Sequence, residues 1–176
     1  MTASQRRRSI RLPAFNYTSP GAYFETICTF KRACVLGDVV GGNVRLGILG
    51  QTVAEIWKAI PEHLPSVDTD AFVIMPNHVH GILQLRDAGV GAKQASPLRN
   101  LPKGTVVGSL PAIVQTFKSS ATREANRRRG IPGESLWQRG YYEHVIRGEE
   151  ELARIRSYIE ENPARWEEDE YFEGDP

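Results

Sequence analysis

The chain has 176 residues, a net charge of +1 and an apolar content of 40%. These values fit one globular domain with a core of its own and exclude a disordered or strongly basic chain. No run of about eighteen apolar residues occurs, so no membrane-spanning helix is expected. The Arg-rich start lacks the apolar stretch of a secretory signal, and the cytoplasm is the expected location.

In chain order, residues 1–20 are polar, carry Pro13 and Pro20, and read as a basic extended arm. Ala22 to Thr29 is rich in aromatic and β-branched types and reads as a strand. Cys28 on it is expected to be a buried, reduced thiol. With Cys34 it makes no four-ligand zinc pattern. Val35 to Val40, Gly41-Gly42 and Val44 to Ile48 read as a hairpin, because paired glycines supply the positive φ of a tight turn. Gln51 to His63 reads as a helix with Val53, Ile56, Trp57 and Ile60 on one stripe.

Val67 to Met75 and Val79 to Leu85 read as two strands with Pro76-Asn77 at their junction. Residues 87–108 are glycine-rich with little apolar periodicity and read as a long loop. Leu110 to Arg129 reads as a helix with Ile113, Val114, Phe117 and Ala121 inward, ending at Gly130. Tyr141 to Ile146 reads as a last strand. Glu149 to Asn162 reads as a last helix, opened by three glutamates that suit its dipole and stopped by Pro163. This order describes an α+β protein, an antiparallel sheet covered by helices. Its expected organisation is the arm, a single domain over 21–166 and an acidic tail over 167–176.

His78 and His80 are two residues apart. On a strand both imidazoles emerge on one face while Val79 points to the other. Two ligands on a stiff support suit a metal; the plain alternative is one core histidine and one solvated histidine. Tyr158 and Asn162 lie one turn apart on the last helix, on the flank of the stripe formed by Leu152, Ile155 and Ile159. The plain alternatives there are a boundary aromatic and a polar residue at a helix end. Taken together, the four residues make a reaction. A tyrosine hydroxyl attacks a phosphodiester, and a divalent ion held by His78, His80 and the Asn162 amide oxygen orients the phosphate. Mixed nitrogen and oxygen ligands suit Mg²⁺ or Mn²⁺, and Mn²⁺ tolerates imidazole better.

Several blocks carry a more specific likeness. They are Arg7-Arg8-Ser9-Ile10-Arg11-Leu12, Tyr23 to Thr29, Met75-Pro76-Asn77-His78-Val79-His80-Gly81-Ile82, Phe117-Lys118-Ser119, Trp137-Gln138-Arg139 with Tyr141-Tyr142-Glu143-His144, and Tyr158-Ile159-Glu160-Glu161-Asn162-Pro163. In their order and spacing the chain resembles the HUH single-tyrosine transposases of insertion sequences, above all the REP-associated tyrosine transposases. The resemblance implies a ferredoxin-like or RRM-like antiparallel core with the histidines on a central strand. The hairpin at 35–48 and the loop at 87–108 then look like additions.

It also implies single-stranded or hairpin DNA as substrate, a 5′-phosphotyrosine intermediate on Tyr158, and Asn162 as third metal ligand. Insertion-sequence relatives act as dimers and repeat-associated ones can act as monomers, so monomer and homodimer are both expected. Tyr141 and Tyr142 are competing tyrosines, read as sheet packing or base stacking. Lys118, Arg123 and Arg127 suit backbone phosphates, and Trp137 with Arg139 suits stacking and phosphate pairing; the alternative is a solvated helix face. Arg7, Arg8 and Arg11 of the arm are further candidate DNA contacts. A domesticated DNA- or RNA-binding protein of the same fold, without transposition, is the second reading.

Overall fold

A computed structural model describes residues 16–87 and 105–172. Arg7, Arg8, Arg11 and most of the 87–108 loop lie outside these residues. The elements are β1 (Gly21–Cys28), β2 (Gly37–Val40), β3 (Asn43–Leu46), α1 (Ile48–Lys58), α2 (Ile60–His63), β4 (Val67–Ile74), β5 (His78–Leu85), α3 (Leu110–Arg129), β6 (Tyr142–Ile146) and α4 (Glu149–Glu161). A 3₁₀ helix, Asn162–Glu168, follows α4 directly.

The main sheet has the order β4-β5-β1-β6, and every neighbouring pair is antiparallel. With the β2–β3 ribbon set aside, the path is βαββαβ with β1 and β5 central, the ferredoxin-like arrangement. Alternation divides the side chains cleanly. Tyr23, Ile27, Val79 and Leu83 face a core built with Val53 and Trp57 of α1 and Ile113, Val114 and Phe117 of α3. Phe24 and Ile82 face the opposite way, onto Leu152 and Ile159 of α4. The sheet therefore has α1, α2 and α3 on one side and α4 on the other.

Gly81 shows how tightly the first side is packed. A β-carbon there would stand 2.3 Å from Cζ2 of Trp57, so the indole occupies the space a side chain would need. The expected hairpin forms, with Gly41 and Gly42 both at positive φ. Its turn lies beside the 3₁₀ helix, since a β-carbon on Gly42 would meet Ala164 Cα at 3.5 Å.

Three local expectations are corrected. The helix expected over 51–63 begins at Ile48 and breaks at Ala59, because Pro61 sits in the first turn of a new short helix. Pro163 ends α4, yet the chain stays helical: the proline occupies the first turn of the 3₁₀ segment, where its missing N–H costs nothing. Cys28 is only half-buried, and both cysteines are free thiols. Among the described residues no helix is long and apolar enough to cross a membrane.

Candidate active site

β4 and β5 are joined by Pro76 and Asn77, with the Met75 amide donating to the His78 carbonyl. This tight turn makes His78 the first residue of a central strand. His78, His80, Ile82 and Gln84 then alternate along the face that α4 covers. Both histidines are buried, at 0% and 1% exposure, and their ring centroids are 4.4 Å apart.

Each imidazole is oriented through Nδ1. His78 Nδ1 lies 2.9 Å from Asn77 Oδ1, which can only accept, so Nδ1 carries the proton and Nε2 presents its lone pair. Asn77 is itself held, its amide donating to the Tyr171 carbonyl at 2.8 Å. His80 Nδ1 pairs with the Thr26 hydroxyl at 2.9 Å, across the β1–β5 ladder. The Nε2 atoms are left for chemistry. That of His80 lies 3.3 Å from the Tyr158 hydroxyl. That of His78 is buried without a hydrogen-bond partner, and so is Asn162 Oδ1.

Asn162 caps α4 one turn beyond Tyr158 and is buried at 4% exposure. Its amide nitrogen donates to Asp169 Oδ2 at 2.9 Å, and that oxygen stands 3.9 Å from His78 Nε2. Candidate ligand atoms of His78, His80 and Asp169 all lie within 4.8 Å of one another. Two imidazoles and a carboxylate, with His78 Nε2 buried and unsatisfied, fit a divalent cation.

Sequence reasoning missed Asp169, which it placed in a solvated acidic run. The structure instead brings residues 169–172 back over the histidines. Tyr171 is buried, with its ring centroid 4.7 Å from that of His78, and Trp166 approaches from 6.1 Å. The available signal was the aromatic content of this run: Trp166, Tyr171 and Phe172 interleave with the acids.

Burial sets the protonation states. It lowers the His78 pKa to about 3, with the nearby Arg32 charge adding to the effect. Burial lowers His80 well below its ordinary value too, followed by the influence of His78, while Asp169 works in the opposite direction. Both rings are thus neutral and able to ligate a metal. The Tyr158 phenol is pushed up to about 12 by burial and then by Asp169 and Glu170, with a hydrogen bond from Asn162 opposing. It is a protonated phenol, 43% exposed, resting edge-on against Phe24.

Tyr142 also lies on this face, edge-on to Phe24, whereas Tyr141 packs with the core on the other side. His144 bonds Glu151 at 2.9 Å.

The remaining expected DNA contacts lie elsewhere. Lys118 Nζ donates to the carbonyls of Gln138 and Gly140, at 2.7 and 2.8 Å, so it ties α3 to the 138–140 segment and does not project into solvent. Trp137 is buried at 6% exposure against Phe117 and offers no open ring face for a base. Arg123, Arg127 and Arg139 are exposed. Arg127 is ion-paired to Glu124, while Arg123 makes no ion pair among the described residues. α3 packs on the sheet face opposite α4, so this row lies across the sheet from Tyr158.

No family model matches the chain. An uncharacterized protein of Haemophilus influenzae is 40% identical over 170 residues, covering 94% of this chain and 93% of the relative. A second Haemophilus influenzae protein, provisionally named a REP-associated tyrosine transposase, is 29% identical over 151 residues, covering 85% and 74%. The chain is similar in sequence to a protein of the REP-associated tyrosine transposase type. The fold agrees: a solved REP-associated tyrosine transposase bound to a REP hairpin superposes with a TM-score of 0.58 at 18% identity, over 89% of this chain and 74% of that one.

Proposed function

We propose that this protein is a metal-dependent, single-tyrosine DNA endonuclease and strand transferase of the HUH type, acting on single-stranded or hairpin DNA. The observation that carries the reading is the Tyr158 hydroxyl 3.3 Å from Nε2 of His80, in a site where candidate ligand atoms of His78, His80 and Asp169 lie within 4.8 Å of one another. The hairpin bound to the structural relative supports a palindromic DNA substrate.

In this reading the Tyr158 oxygen attacks the scissile phosphorus. A tyrosine O–P bond forms and the P–O3′ bond breaks. The phenol loses its proton, the departing 3′ oxygen gains one, and the DNA keeps a 5′-phosphotyrosine link. A 3′-hydroxyl attacking that link reverses the step and joins strands. His78, His80 and Asn162 would hold Mg²⁺ or Mn²⁺, with Asp169 as a further oxygen ligand; the ion would neutralise charge on the phosphate oxygens. Asn77 fixes the tautomer of His78, and Asn77 and Thr26 hold the two rings so that both Nε2 atoms are aimed away from these partners. Arg123, Arg127 and Arg139, with Arg7, Arg8 and Arg11 of the arm, are assigned to the DNA backbone in this reading.

The test is incubation with Mn²⁺ and labelled hairpin DNA from the flanks of the gene. A covalent protein–DNA adduct is expected, lost in Tyr158→Phe and strongly reduced in His78→Ala and His80→Ala. An undiminished adduct in Tyr158→Phe would falsify the nucleophile assignment. Hairpin binding without any adduct in the parent protein would favour a binding protein of the same fold.

A further inference from the structure

α4 carries Tyr158 but contributes only Leu152 and Ile159 as buried apolar contacts, with Ile155 partly buried. A helix seated on so narrow a stripe resists sliding better than rolling about its own axis. Roll is what moves Tyr158, because it projects from the flank of the stripe, roughly 90° from the stripe's centre.

Two polar clasps grip that axis from opposite sides. Arg156 lies on the other flank, roughly 70° from the centre. Its Nε and Nη2 donate to Asp70 Oδ1 and Oδ2 at 2.9 and 2.6 Å, a bidentate pair. Gln84 of β5 also donates to Asp70. Asp70 faces α4 because it lies two residues beyond Asp68, which pairs with Gln84 on the face that α4 covers. On the Tyr158 flank, in the first turn of α4, Glu151 receives His144 Nε2 at 2.9 Å and the Arg147 amide. His144 belongs to β6 and Asp70 to β4, the two edges of the sheet. The helix is therefore clasped to both edge strands while it crosses the two central strands that carry His80 and Phe24.

We propose that Asp70 with Arg156, and Glu151 with His144, are positioning pairs that hold the roll of α4 and thereby keep the Tyr158 hydroxyl on His80. The proposal rests on Tyr158 being the nucleophile. It assigns a task to Asp70 and to His144, neither of which touches the reacting atoms.

The experiment compares parent, Asp70→Asn, Arg156→Gln, their double variant, Arg156→Lys and Glu151→Gln. Adduct formation is followed at saturating hairpin DNA with Mn²⁺. Mn²⁺ and hairpin affinities are measured separately, along with the NMR cross-peak between the Tyr158 and His80 rings in DNA-free protein. The saturating rate should fall roughly ten- to hundred-fold in the single variants, as a nucleophile misplaced by about 1 Å loses rate. Both affinities should stay near parental values. The double variant should be no worse than the worse single, Arg156→Lys should recover part of the loss, and the ring cross-peak should weaken in step with rate.

Unchanged saturating rates in Asp70→Asn and Arg156→Gln would overturn the first pair, and an unchanged rate in Glu151→Gln would overturn the second. A rate loss matched by an equal loss of Mn²⁺ affinity would overturn either pair, since it would mark a general loosening of the site. If the parent forms no adduct, the nuclease reading fails, and the cross-peak alone decides the clasp: weakened in Asp70→Asn supports it, unchanged overturns it.

Discussion

Thr26 and His80 face each other across the β1–β5 ladder, and the threonine hydroxyl holds His80 Nδ1 at 2.9 Å. The contact leaves Nε2 to face Tyr158. It makes a core threonine part of the site without touching substrate or metal.

Thr26→Val keeps the shape of the side chain and removes this partner. Mn²⁺ affinity is expected to drop by about 10- to 100-fold, the usual effect of losing a group that orients a metal-binding histidine. Asn77→Ala should act alike through His78. Calorimetric titration with Mn²⁺ checks both, with circular dichroism to establish that the fold persists.

The metal-free protein should be acid-sensitive in a defined window. The folded pKa of His78 is about 3, below the ordinary 6.5. The unfolded chain therefore holds the additional proton between these values, and stability rises with pH across the window. Acidification from about 6.5 toward 3 should lower the urea midpoint, one such group contributing up to about 1.4 kcal/mol per pH unit. His78→Gln in chelator should flatten that dependence; an equal slope in parent and variant would contradict the assignment.

Gly81→Ala should destabilise the fold by about 1–3 kcal/mol, the usual cost of overpacking. Its β-carbon would stand 2.3 Å from the Trp57 ring, and the indole is fully buried with little room to retreat. Thermal or urea unfolding reads the loss.

Lys118 and Arg123 share a helix and should behave oppositely. Lys118→Met leaves the Gln138 and Gly140 carbonyls without their donor and should cost about 1–3 kcal/mol of stability. Arg123→Ala should leave stability alone, weaken hairpin binding and reduce its salt dependence by about one counterion. Unfolding curves and binding isotherms at several salt concentrations separate the two.

Much of this architecture could be read from the chain. The boundaries of α3 follow from its apolar period and Gly130, and the His78–His80 pair shares a face as strand alternation requires. Other features depend on partners distant in sequence. The β4 bulge is invisible in residues 67–74 alone, because it exists only as a register shift against β5. Trp137 reads equally well as a stacking platform or as core, and Phe117 decides it. Asp169 looked solvated because charge outweighs its aromatic neighbours in composition, whereas Asn162 and Tyr171 bring it inside.

The site draws its parts from both ends of the described chain. Thr26 and the histidines come from strands made early, while Tyr158, Asn162 and Asp169 lie in the last quarter of the sequence. A nascent or prematurely terminated chain that stops before α4 can therefore carry an oriented histidine pair but no nucleophile to spend on DNA. In the proposed reading, the power to cut a strand arrives only once α4 has been made and has docked on the sheet.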